Sequence, residues 1–86
     1  MNERFVYRAI ITIEEMGEFT QALTKYIRYM VSDETLRKNR IEIQEMIMEE
    51  LADVELCLEK FKKYMCINEE DLALIKHYKE KRLNHV

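Results

Sequence analysis

An all-α fold, an antiparallel helical hairpin followed by a third helix, is what this sequence predicts, on three observations. The 86 residues contain no proline and one glycine, so almost nothing in the chain breaks a helix by itself. Apolar residues recur at spacings of three and four through three segments, which is the period of an amphipathic helix. Two short polar clusters, one from Ser32 to about Lys38 and one at Cys66-Ile67-Asn68, interrupt that pattern and mark the connections. A chain this short buries only about 60% of its unfolded surface, so a single domain over residues 1–86 is expected, and assembly with further copies with it.

The first helix is expected from about Glu3 to Met30. Its apolar sector on a helical wheel holds Phe5, Val6, Ala9, Ile13, Met16, Phe19, Leu23, Ile27 and Met30, and the opposite, solvated face holds Glu3, Tyr7, Glu14, Gln21, Lys25 and Arg28. That sector is wider than one neighbouring helix covers, and a second copy is its simplest cover. Ser32 is placed to start one short helical turn in the connection. Asn39 and Glu42 have capping-box spacing, so the second helix begins there and runs to about Tyr64, with a seam of Ile43, Ile47, Leu51, Val54, Leu58, Phe61 and Met65. Asn68 is the expected cap of a third helix from Glu69 to Leu83. Glu69, Glu70 and Asp71 lie at its positive end, and Lys79, Lys81 and Arg82 at its negative end.

Charge and composition exclude several classes of function. The net charge is −3 and the basic residues are scattered among acids, which argues against a nucleic-acid polymer as partner. No basic region precedes an apolar run near Met1, and no stretch approaches the roughly 20 apolar residues of a membrane span, so a cytoplasmic location is expected. Cys57 and Cys66 have neither zinc-ligand spacing nor a disulfide framework around them, and Cys57 falls on an apolar face as core filler. His77 and His85 read as surface residues. Their three-residue offsets reach back to Leu74 and Arg82 rather than to glutamates, which excludes a di-iron carboxylate bundle.

Four acids do not read as solvated surface. Glu15 and Glu18 share a face that also carries Ile11 and Ala22 and borders the apolar sector. Glu50 lies within the second seam, between Ile47 and Val54, and Asp53 sits one turn on. In an antiparallel hairpin, facing residues have a constant index sum. Glu15 with Asp53 and Glu18 with Glu50 share one sum, so both pairs meet if the chain turns about Glu34, inside the expected connection. Helix axes about 8–10 Å apart would let these carboxylates converge on one or two cations. Without a cation they would repel and resist burial. Oxygen-only ligands favour magnesium, calcium or manganese over zinc, and magnesium is the expected ion, with manganese as a substitute.

The runs Glu14-Glu15-Met16-Gly17-Glu18 and Glu49-Glu50-Leu51-Ala52-Asp53-Val54-Glu55 resemble the Glu-Glu-x-x-Glu and Glu-x-x-Asp signature of the MazG-like all-alpha nucleoside triphosphate pyrophosphohydrolases. The resemblance covers most of the chain in order. It implies an oligomeric helical bundle, a homodimer or homotetramer, that uses Mg2+ to cleave nucleoside triphosphates between the α- and β-phosphates. Carried onto this sequence, the metal ligands and catalytic acids are Glu15, Glu18, Glu50 and Asp53. Glu18 or Glu50 would orient the attacking water. Lys79 and Arg82 are similar to a basic pair found in the last helix of that family and are candidate phosphate contacts. Tyr7, Tyr26 and Tyr29 are candidates for stacking on a base, with packing the plainer role. A helical module without catalysis, serving assembly or nucleotide sensing through the same acids, is the alternative.

Overall fold

The computed structural model describes residues 3–31 and 40–84, and among them every regular element is helical. Helix α1 spans Glu3–Val31, α2 spans Arg40–Tyr64 and α3 spans Glu69–Leu83, within a residue or two of the boundaries expected from periodicity and caps. Ser32, Asn39 and His85 lie outside the described residues.

The second connection is a helix stop built from backbone hydrogen bonds. Ile67 N–H donates to the Lys62 carbonyl at 3.0 Å and Cys66 N–H to Lys63 at 3.2 Å, the paired bonds of a Schellman motif. Cys66 supplies the left-handed residue this motif needs, at φ 54°, where glycine is the usual occupant. The chain then restarts at once. The Asn68 side chain accepts from Asp71 N–H at 3.0 Å, the expected cap, and Lys62 reaches across the bend to Glu69 at 3.1 Å.

Helices α1 and α2 pack against each other, and α3 packs against neither. The pairing is antiparallel: the Phe5 ring lies 6.1 Å from Phe61 and 6.4 Å from Tyr64 at the open end, while Glu15 meets Glu50 and Asp53 further in. With α3 standing apart, the radius of gyration is 16.7 Å, against about 12 Å for a compact chain of this length.

The buried faces differ from the expected ones in an informative way. On α1 the half-buried or buried line is Phe5, Arg8, Thr12, Glu15, Phe19, Ala22, Tyr26 and Tyr29, with strictly alternating spacings of three and four. On α2 it is Ile43, Ile47, Glu50, Val54, Cys57, Phe61 and Tyr64, with the same alternation. These are the two seams of a coiled-coil pair, in which a seven-residue repeat faces each helix to the other. Of the apolar sector expected on α1, Phe5, Val6, Ala9 and Phe19 are half-buried, but Ile13, Met16, Leu23, Ile27 and Met30 are exposed. Leu51, Leu58 and Met65 of the expected α2 seam are exposed too. The physical reason is that the true seam carries Arg8, Thr12, Glu15 and Glu50. A wheel weighted by hydrophobicity is drawn away from such a line toward the adjacent apolar one. The face expected to be solvated on α1, including Glu14, is exposed, and Cys57 is half-buried within the α2 seam.

Candidate metal centre

The seam itself positions the acids. Glu15 and Glu50 occupy seam positions near the middle of the α1·α2 contact, where a coiled coil normally places an aliphatic side chain. Glu18 and Asp53 lie three residues on from each, at the flank of their helices, and both are exposed. In an antiparallel pair those two flanking positions fall on the same side, so the acids form a cleft with Glu15 and Glu50 at its floor and Glu18 and Asp53 at its rim.

Glu15, Glu50 and Asp53 each offer a carboxylate oxygen, and those three atoms lie within 4.8 Å of one another. Glu18 is not part of that three-way set, yet its carboxyl is near enough to hydrogen-bond both Glu15 and Glu50. Oε2 of Glu15 and Oε2 of Glu50 are shielded from solvent and accept no hydrogen bond from any described residue. Two unpartnered, desolvated anionic oxygens across a helix pair are unfavourable unless a cation or a proton meets them. Burial is the main cause that raises Glu15 above the ordinary glutamate value of 4.5, followed by the neighbouring charges of Glu18, Asp53 and Glu50. Glu50 is raised in the same way, first by burial and then by Glu18 and Asp53. The donor chemistry therefore fits a hard divalent cation: all ligands are oxygen, and no histidine or cysteine takes part.

The remaining expected residues are placed elsewhere. Lys79 and Arg82 are exposed on α3, and no helix contact brings that element to the acids within one chain. Tyr26 and Tyr29 are half-buried in the α1 seam, and Tyr7 is exposed. His77 is exposed and meets Tyr78 edge-on at 5.8 Å. Sequence reasoning did not find that Arg8 and Thr12 share the acids' seam. The strict three-four alternation from Phe5 to Tyr29 was the signal available for it.

No family model matches this chain, and neither a curated protein nor a solved structure matches it. The class that the fold and the acids define is a helical hairpin with a cluster of carboxylates contributed by both helices. Among the described residues, no helix is long and apolar enough to cross a membrane.

Proposed function

We propose that this chain is a magnesium-dependent nucleoside triphosphate pyrophosphohydrolase of the MazG-like kind, cleaving an NTP or dNTP to a nucleoside monophosphate and pyrophosphate. The observation that carries the reading is the convergence of oxygens from Glu15, Glu50 and Asp53 within 4.8 Å, two of those residues also holding a buried oxygen without a partner. Bound Mg2+, or Mn2+ in its place, supplies neutralisation of phosphate charge and polarisation of the phosphoryl group. Glu15 and Glu50 hold the cation from the floor of the cleft, fixed by the packed seam on either side. Asp53 completes the oxygen set at the rim. Glu18, exposed at the mouth and within hydrogen-bonding reach of both floor acids, orients the attacking water and accepts its proton. Lys79 and Arg82 are the phosphate contacts in this reading. Their helix packs against neither partner in its own chain, so their access to a cleft depends on assembly into a homodimer or homotetramer. A cytoplasmic site of action, with free nucleotides as substrates, completes the proposal.

The same separation of α3 favours one second reading, a non-catalytic assembly or nucleotide-sensing module that keeps the cation but lacks the basic groups beside it. Incubation of the purified chain with a panel of nucleoside triphosphates and Mg2+, followed by a pyrophosphate assay, separates the two. Hydrolysis that releases pyrophosphate, reduced at least 100-fold by Glu18→Ala or Asp53→Ala, is the expected result, on the scale that removal of a positioned acid or base commands. Orthophosphate as the sole primary product would overturn the proposed bond, and nucleotide binding without turnover would favour the sensing module.

A further inference from the structure

Two cations adjoin the acid cleft within its own chain. Arg8 is half-buried at a seam position of α1, one heptad before Glu15, and Lys60 is exposed on α2, one heptad after Asp53. A heptad is two turns, about 10 Å of helix, and returns to the same face. The index sum that sets Glu15 opposite Asp53 also sets Arg8 opposite Lys60. The basic pair therefore lies beside the acids, on the side toward the Phe5–Phe61 contact. Cα–Cβ bonds tilt toward the N-terminus of their helix, and the two helices run in opposite directions, so Lys60 is inclined toward Asp53 and Glu15 toward Arg8.

Neither cation has an acid to answer it. The positions three and four residues away, where an ion pair along a helix forms, hold no aspartate or glutamate around either residue, and Arg4 and Lys63 there add further positive charge. The α2 seam residues at the height of Arg8 are Cys57 and Phe61, both uncharged. No ion pair joins Arg8 or Lys60 to another described residue. Thr12, between Arg8 and Glu15, commits its hydroxyl proton to the Arg8 carbonyl at 2.8 Å. Like charges that face each other across a helix pair repel, and an anion between them relieves both. The other side of the acids is different. One heptad beyond them in that direction stand Ala22, Lys25, Ile43 and Met46, with one cation in place of two and with Ala22 and Ile43 buried.

We infer that Arg8 and Lys60 form an anion subsite next to the cation cleft, which holds the two terminal phosphates of a nucleoside triphosphate and sets its nucleoside toward the Ala22–Ile43 end of the hairpin. The inference rests on the proposed function, which it deepens by giving the substrate a direction. A nucleoside triphosphate carries its charge at one end, and a site with its cation pair on one side of the metal receives it one way round. Arg8 supplies a forked donor whose stem is held by the packed seam, and Lys60 a point charge at the rim. Both belong to the chain that supplies the acids, so the pyrophosphate end is held whether or not α3 of any copy reaches the cleft.

Isothermal titration of the full chain with inorganic pyrophosphate at saturating Mg2+ tests the subsite without any turnover. Wild type should bind, and Arg8→Gln and Lys60→Gln should each bind about 10- to 100-fold more weakly, the scale of a lost hydrogen bond to a charged group. Arg8→Lys should recover part of the loss, since it keeps the charge and gives up the fork. Lys25→Gln removes the same charge at the same distance on the other side of the acids and should change the affinity by about 3-fold at most. A wild type that does not bind pyrophosphate, wild-type affinity in either Arg8→Gln or Lys60→Gln, or a loss in Lys25→Gln as large as theirs would overturn the inference. Should Arg8→Gln lose its helicity by circular dichroism, Lys60→Gln, at an exposed position, decides with Lys25→Gln beside it. Failure of the proposed function looks different: pyrophosphate binding with no release from any nucleoside triphosphate leaves the anion subsite standing, whereas hydrolysis at the wild-type kcat/KM in both Gln variants leaves the enzyme standing and removes the subsite.

Discussion

Replacing Glu50 by Gln separates a cation site from a merely acidic cleft, because the two effects on stability have opposite signs. Without metal the substitution removes a carboxylate whose burial and like-charged neighbours disfavour its ionised form, so the variant should unfold at a higher temperature than wild type at pH 7.5. With metal the order reverses. At a Mg2+ concentration 100 times the dissociation constant, wild type gains about 2.7 kcal/mol by linkage. Loss of one of the three oxygens that lie within 4.8 Å should weaken binding about 100-fold, by the scale that holds for disrupted metal sites. The variant then stands at its own dissociation constant and gains only about 0.4 kcal/mol. For a domain of this size that is a rise of roughly 10–20 °C against roughly 2–3 °C. Differential scanning fluorimetry with EDTA and with Mg2+, on wild type, Glu50→Gln and Glu14→Gln, reads all of these shifts. Glu14 is exposed and belongs to no three-acid set, so its variant should keep the full Mg2+ gain. Equal gains for wild type and Glu50→Gln, or none for wild type, would refute the cation site.

Three further outcomes follow from the same geometry. Glu15 and Glu50 have raised values in the folded chain, so their contribution to metal-free stability is full below the ordinary value of 4.5 and is lost as pH rises above it; urea midpoints in EDTA should fall from pH 5 to pH 8, and Mg2+ should flatten that fall. Cys66→Gly should stabilise by about 0.5–1 kcal/mol in urea unfolding, since a left-handed residue costs a side chain roughly 1–2 kcal/mol and the greater freedom of unfolded glycine returns part of it; a loss of stability would count against the helix stop. Ile43→Ala, at a buried position of the α2 seam, should cost about 2–4 kcal/mol, and a loss under about 1 kcal/mol would mean that the seam is not packed there.

The helices were legible because their signals are local. Asn68 and the three acids after it fix where α3 starts, and a chain with no proline leaves the apolar period undisturbed. The acid cleft was legible because Glu50 lies between Ile47 and Val54 with no polar reason to be there, and because a hairpin makes index sums a geometric test. What the residues concealed was the rotation of α1. Its packed seam has Arg8, Thr12 and Glu15 in succession, and the line beside it is almost wholly aliphatic, so summed hydrophobicity points to the wrong side. The fine period decides instead. Both lines repeat every seven residues, and the one that faces α2 is the one whose index sums bring the carboxylates together. The position of α3 was not legible at all, since its apolar residues Leu74, Ile75, Tyr78 and Leu83 remain exposed and name no partner in the chain.

The two faces of the hairpin explain each other. Placing Glu15 and Glu50 at the middle of a helix seam removes apolar layers from the contact where burial stabilises most, and adds like charges that resist closure. A hairpin built that way has to recover burial elsewhere, and the only long uncharged surface of α1 is the strip one position along. Glu18 and Asp53 lie exposed on one flank and Ile13, Leu23 and Ile27 on the other, so the acidic and the apolar surfaces are kept apart by the thickness of the helix pair.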